Sequence, residues 1–256
     1  MQVITIPAFD DNYIWLLHQP NETACAVVDP GEAGPVIERL QALDLQLKYI
    51  LLTHHHMDHI GGVKKLKAYA PECQVIAGAN IKLPFNATRV NDGDVVSLDE
   101  LNCSLKVMAT PGHTISHVVY YTDEMLFCGD TLFNCGCGRL FEGSVEQMLE
   151  SLSNIAKLNS ETQVYAAHEY TMANLKFALT IEPHNPLLQQ YQTNMLKQRA
   201  QGLPTVPFSL ASQKKLNPFM RCHEISLQQA LSHLLQINCS TEMTTFTQLR
   251  AYKDRF

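Results

Sequence analysis

The segment His54-His55-His56-Met57-Asp58-His59 holds four side chains with metal-binding chemistry at a spacing that makes binding plausible geometry: His54, His56, Asp58 and His59. It follows the apolar run Tyr49–Leu52 directly and precedes Ile60-Gly61-Gly62-Val63, where a helix could begin. In extended chain, alternate side chains share a direction, so His54 and His56 converge on one cation while His55 points the other way. Asp58 and His59, past the turn, face a second position. Imidazole combined with carboxylate suits zinc, and iron or manganese also accept that set.

Three further donors each sit just after an apolar run. They are His113 in Thr110-Pro111-Gly112-His113, Asp130 in Gly129-Asp130-Thr131, and His168 in Ala166-Ala167-His168. Side chains at the ends of different strands can meet on one edge of a sheet, which brings the donor set to five histidines and two aspartates. Two cations about 3.5–4 Å apart repel strongly, so a carboxylate between them is physically useful, and Asp130 is the candidate. A histidine-rich stretch can equally be a solvated loop; the agreement of spacing with strand context favours ligation. The isolated His18, His184, His223 and His233 read as structural, and His117 as a candidate partner to a ligand. Cys135-Gly136-Cys137 lacks C-x-x-C spacing and reads as ordinary thiols.

The elements that must position these donors are legible in outline. Over the first ~165 residues, short β-branched runs alternate with amphipathic stretches, as in a layered α/β domain. Strand candidates are Ala26–Val28, Tyr49–Leu52, Leu105–Met108, His117–Tyr121, Met125–Phe127 and Val164–Ala166. A helix is expected after Gly143: Ser144 and Gln147 have capping-box spacing, and Val145, Met148, Leu149, Leu152 and Ile155 fall on one core-facing side. From about residue 170 the β pattern fades. Tyr170–Ile181, Pro186–Gln201, Leu227–Ile237 and Phe246–Tyr252 read as helices, with a Pro-containing connector from Gly202 to Pro218. The expected organisation is a catalytic domain over 1–169 and a helical substrate-binding domain over 170–256.

Composition excludes several classes of function. The chain has 256 residues, 46% hydrophobic and 17% charged, with a net charge of -6 and no long basic run. Nucleic-acid backbone tracking needs a clustered positive stripe, so no nucleic-acid partner is expected. No stretch approaches the ~18 apolar residues of a membrane span, and Met1–Pro7 lacks a basic start followed by an apolar run. Eight scattered cysteines then suggest reduced thiols in the cytoplasm. A monomer is expected.

Taken together, the motifs resemble a known family. Thr53-His54-His55-His56-Met57-Asp58-His59 is similar to the T-H-x-H-x-D-H motif of the metallo-β-lactamase superfamily. Ile6–Tyr13, Thr110–Thr114, Gly129–Phe133, Gly136–Arg139, Phe141–Gly143 and Ala167–Tyr170 narrow the resemblance to the glyoxalase II (hydroxyacylglutathione hydrolase) family. Asn217–Arg221 and Lys253–Phe256 extend it through the helical tail. The resemblance implies an α/β fold, an αββα sandwich followed by a small helical C-terminal domain. It implies two divalent metal ions, most simply zinc: His54, His56 and His113 on the first, Asp58, His59 and His168 on the second, Asp130 bridging. Asp58 and Asp130 are then the catalytic carboxylates. Arg139, Tyr170, Arg250 and Lys253, with Phe141 beside them, would receive glutathione. Phe141 stands where some relatives carry tyrosine, and Ser116 where a glycine is common.

The implied reaction is hydrolysis of S-D-lactoylglutathione and similar 2-hydroxyacyl glutathiones to glutathione and D-lactate by a metal-bridged hydroxide, in methylglyoxal detoxification. A thiolate leaving group, with a parent pKa of ~8.5, departs without a strong general acid. Rival readings are a β-lactam or phosphodiester hydrolase, a one-iron persulfide dioxygenase, and a non-catalytic binder; substrate assays and metal stoichiometry separate them.

Overall fold

Residues Ala24–Val28 are apolar at every position and buried throughout, as a strand covered on both faces requires. This strand, β3, lies inside a six-stranded sheet ordered β1-β2-β3-β4-β5-β6. Its members are β1 (Gln2–Ala8), β2 (Asn12–His18), β3, β4 (Gln46–Leu52), β5 (Gln74–Gly78) and β6 (Thr88–Val90). The first three pair antiparallel; β3, β4, β5 and β6 pair in parallel. Parallel neighbours need crossover connections. Between β3 and β4 the crossover is α1 (Gly34–Ala42), between β4 and β5 the pair α2 (Met57–Ile60) and α3 (Val63–Tyr69), and between β5 and β6 a helix-free segment, residues 79–87.

The computed structural model describes residues 1–256 and divides into two units, Met1–Ala109 with Ser116–Gly129, and Thr110–Ile115 with Asp130–Phe256. The first unit also holds four antiparallel strands that belong to a second sheet: β7 (Val95–Leu98), β8 (Cys103–Ala109), β9 (Val118–Tyr121) and β10 (Met125–Gly129). Tyr120 of β9 ties the two sets of strands together within this unit. Its buried hydroxyl donates to the Leu52 carbonyl at 2.9 Å and lies 3.3 Å from that of Ile76.

The second unit contains the hairpin β11 (Leu132–Phe133) and β12 (Gly136–Cys137), then α4 (Val145–Ala156), β13 (Gln163–Ala166), α5 (Thr171–Ile181) and α6 (Pro186–Ala200). β14 (Phe208–Ser209), α7 (Leu210–Leu216), α8 (Ile225–Leu235) and α9 (Glu242–Lys253) complete it. The Ser144–Gln147 capping box that starts α4 is present in both directions. Leu175, Ala178, Leu188 and Leu216 pack around Cys135, and Phe177, Phe219 and Phe246 form an aromatic cluster.

The structure adds detail at two places. The connector from Gly202 to Pro218 is structured: Phe208 and Ser209 pair with Val164 and Gln163, and Ser209 caps α7. A two-residue strand and a seven-residue helix are too short to show periodicity. A helix does begin at Val63 as expected, but a one-turn helix, Met57–Ile60, precedes it, with extended His56 as its N-cap (φ -64°, ψ 146°). Asp58 and His59 therefore ride on the first helical turn. No helix is long and apolar enough to cross a membrane.

Candidate metal centre

In the first unit, the end of β4 delivers Thr53 and His54 into a buried hydrogen-bonded set. Asp29, at the end of β3, accepts from the Thr53 amide at 2.8 Å, from the Thr53 hydroxyl at 2.6 Å and from His59 Nδ1 at 3.0 Å. A carboxylate only accepts, so the Thr53 proton is committed to Asp29. The Thr53 oxygen, 3.0 Å from His54 Nδ1, therefore accepts from His54. Both histidines thus carry the proton on Nδ1 and present the Nε2 lone pair. His54 Nε2 lies 3.1 Å from His56 Nδ1, and His59 Nε2 lies 3.4 Å from Asp58 Oδ2. Asn12 donates to that same Asp58 oxygen at 3.1 Å. His117 lies flat against His54, with ring centroids 4.9 Å apart.

The second unit builds its donors around one carboxylate. β10 ends on Gly129 in a left-handed conformation (φ +47°), and Asp130 follows. Asp130 is 7% exposed, and its two oxygens face different histidines: Oδ2 is 3.4 Å from His113 Nε2, and Oδ1 is 3.4 Å from His168 Nε2. His113 donates from Nδ1 to the Arg139 carbonyl at 2.8 Å, which leaves its Nε2 lone pair toward Asp130. The loop carrying His113 is held by Gly143 N to Gly112 O at 3.0 Å and by Ser151 to Pro111 O at 2.8 Å.

These donor sets fit a divalent cation. Lone pairs face lone pairs in the His113–Asp130 and His59–Asp58 pairs, an arrangement that repels unless a positive charge lies between them. Protonated imidazoles would draw the carboxylates to about 2.7–2.9 Å. Tetrahedral ligands at about 2.0–2.1 Å from zinc stand about 3.3–3.4 Å apart. The three His–Asp separations, all 3.4 Å, have that spacing.

The residues expected around the substrate take varied positions in the second unit. Tyr170 stacks on His168 (4.6 Å, 8°), and Phe141 meets His113 edge-on at 5.3 Å. Arg139 is exposed, with its guanidinium 5.8 Å from the Phe141 ring. Lys253 is half-buried, its ammonium 4.9 Å from the Phe177 ring. Arg250 is 6% exposed, with donors directed at Asp254 and at the Cys137 and Gly138 carbonyls. Cys135 and Cys137 are buried free thiols, and burial pushes both thiol pKa values up, which suits packing and disfavours a thiolate role.

Asp29 and Asn12 were not expected as site residues. Asp29 lies between a buried apolar strand and Pro30-Gly31, and an acid there reads as a turn former. The usable signal was its place at a strand end beside the donor-bearing strand. Asp29→Asn puts an amide NH2 against two donors, Thr53 and His59. The expected result is a loss of about 10- to 100-fold in metal affinity or turnover, read by metal content after chelator dialysis and by kcat. Parental values for both would confine Asp29 to supporting the fold.

Comparison with known proteins gives the same picture. Residues 8–168 match the metallo-beta-lactamase superfamily, and residues 169–256 match the hydroxyacylglutathione hydrolase C-terminus. The chain is 50% identical over 252 residues to the hydroxyacylglutathione hydrolase of Aliivibrio salmonicida, covering 98% of each. It is 46% identical over 256 residues to that of Photobacterium profundum, covering 100% of each. Among solved structures it is similar to ETHE1 from Myxococcus xanthus (TM-score 0.64, 26% identity, 85% of this chain and 84% of that one). It also superposes on the BLEG-1 B3 metallo-beta-lactamase (TM-score 0.65, 21% identity, 86% and 99%), a likeness that bears on fold alone. Full-length identity near one half, with a matching helical C-terminus, means that this chain belongs to the hydroxyacylglutathione hydrolase family of the metallo-β-lactamase superfamily.

Proposed function

We propose that the chain hydrolyses the thioester of 2-hydroxyacyl glutathiones, S-D-lactoylglutathione above all, releasing glutathione and D-lactate, and so serves methylglyoxal detoxification. The observation that carries the reading is Asp130, whose two oxygens each stand 3.4 Å from a different histidine. In this reading His54, His56 and His113 would hold one divalent ion, Asp58, His59 and His168 would hold another, and Asp130 would serve both. Zinc suits imidazole with carboxylate, and iron or manganese are accepted by the same donors. When bound, the ions supply a water of lowered pKa and a Lewis acid for the thioester carbonyl. All seven donors belong to one chain, so a monomer suffices. Free thiols suit a reducing cytoplasm.

The chain's own residues do the rest. Asp58, steadied by Asn12 and 40% exposed at its side chain, accepts a hydrogen bond from the attacking water and sets its direction. Tyr170 and Phe141, stacked on and edge-on to His168 and His113, exclude bulk water from that side. Residues 170–256 form the substrate-binding domain. Arg139, Arg250 and Lys253 supply the positive charge that attracts the glutathione carboxylates. Metal analysis of the purified protein, beside hydrolysis of S-D-lactoylglutathione, tests the reading. Two ions per chain and chelator-sensitive turnover are expected; undiminished turnover after metal removal, or no thioesterase activity with both ions bound, would overturn it.

Lys253 gives this reading a pH signature. Burial, followed by the nearby Arg250 charge, pushes its pKa down from 10.5 to about 8. The folded value lies below the unfolded one, so charged Lys253 lowers stability near neutrality, and stability returns as pH rises from about 8 toward 10.5. The binding charge disappears over the same rise. KM for the anionic thioester should therefore increase as pH climbs through about 8, and Lys253→Met should have a high KM with that step missing. Parallel KM–pH curves for parent and variant would return Lys253 to the role of an ordinary solvated cation.

A further inference from the structure

Arg250 is buried at the C-terminal end of α9, and its nitrogens are engaged inside the protein. Nε and Nη2 donate to Asp254 Oδ1 at 3.1 and 2.8 Å. Nη1 lies 3.1 Å from the Cys137 carbonyl, 3.4 Å from the Gly138 carbonyl and 3.6 Å from Cys137 Sγ. The guanidinium carbon stands 5.1 Å from the Phe219 ring centre, so apolar packing fixes the fork as well. A guanidinium offers five N–H donors in rigid geometry, which suits it to gripping successive carbonyls.

The segment it grips leads directly to His113. Cys137 pairs with Leu132 in the β11–β12 hairpin, and Gly138 N donates to the Thr131 carbonyl at 3.2 Å. The next carbonyl, that of Arg139, receives the Nδ1 proton of His113 at 2.8 Å. A side chain added to Gly138 would meet Asp130 and His113, so this strip of main chain lies directly against both donors. Buried carbonyls require partners. Loss of the guanidinium strands those of Cys137 and Gly138 together, and the strip must shift to recover hydrogen bonds.

We propose that Arg250, held by Asp254, is a positioning residue of the metal centre: it fixes the 137–139 main chain, and that strip fixes the tautomer and direction of His113. The proposal rests on the reading of His113 and Asp130 as metal ligands. On α9, Lys253 then serves substrate attraction alone, while Arg250 also maintains the ligand shell.

Arg250→Met keeps the volume of the side chain and removes its donors. Metal loss to a chelator, ions retained per chain, KM and kcat are compared in the parent, Arg250→Met, Asp254→Asn and Lys253→Met. Arg250→Met should retain metal about 10- to 100-fold less well and lose kcat, the usual scale for a lost partner of a ligand. Asp254→Asn, which leaves the arginine present but less firmly held, should move the same way by less; it carries the test if Arg250→Met fails to fold. Lys253→Met should raise KM while retaining metal like the parent. Parental metal retention in folded Arg250→Met and Asp254→Asn, with only KM raised, would leave Arg250 a substrate residue alone and overturn the proposal. A parent that binds no metal would instead overturn the metal reading itself, a distinct result.

Discussion

Asp130→Asn should lose metal and turnover together. The wild-type carboxylate presents one anionic oxygen to each of two histidines, at 3.4 Å in both cases. An amide of the same shape replaces one oxygen with an NH2 group, a donor that cannot ligate, and removes the negative charge that offsets two neighbouring dications. Retained metal should fall from two ions per chain to one or fewer. Loss of a bridging ligand should cost more than the ~10- to 100-fold typical of an outer partner, so kcat should drop by more than about 100-fold. A second readout is independent of activity. Ions that bind the folded state raise its melting temperature, and this increment should shrink in the variant. Two retained ions with a parental kcat would remove Asp130 from the bridging role.

What the sequence reveals about this site follows from where each residue's partners lie in the chain. His54, His56, Asp58 and His59 were legible because their spacing and the preceding strand are local. His113, Asp130 and His168 were legible as donors just after apolar runs, because strand ends supply site residues in layered α/β folds. Asp29 was not, since its partners Thr53 and His59 lie 24 and 30 residues away and nothing near it marks the link. Arg250 and Lys253 show a different limit. Their spacing of three predicts a shared helix face, but periodicity carries no depth: one side chain is buried against carbonyls, and the other rests half-buried on aromatic rings. The same locality explains the helix caps. Ser144 with Gln147 has the familiar pair of residue types, whereas Thr241 and Thr244 form an equivalent reciprocal cap at α9 without the usual Glu or Gln.

Gly138→Ala tests whether the centre depends on close main-chain packing as much as on its ligands. Gly138 is not among the glycines with a left-handed backbone, so its need for glycine is spatial, not conformational. A Cβ there would lie deep inside contact distance of the Asp130 carbonyl oxygen and 3.2 Å from the His113 Cβ. The first obstacle is backbone, which cannot rotate aside as a flexible side chain does. Either the 137–139 strip backs away, pulling the Arg139 carbonyl from His113, or Asp130 and His113 move together. Overpacking of this kind costs about 1–3 kcal/mol in stability. Function should suffer more, because a displacement near 1 Å in a catalytic array can cost about 100-fold in rate. The variant should therefore fold with a modestly lowered melting temperature, retain less metal and lose about 100-fold in kcat. Gly34→Ala is the control: it lies in α1, an added Cβ meets nothing within 4 Å, and its backbone is not left-handed. Because residue 34 precedes Pro35, an added Cβ there has a small stability cost, but metal content and kcat should stay parental. Parental metal content and kcat in Gly138→Ala would mean that the strip yields without disturbing the ligands, and the tight approach of residues 130 and 138 would then carry no functional weight.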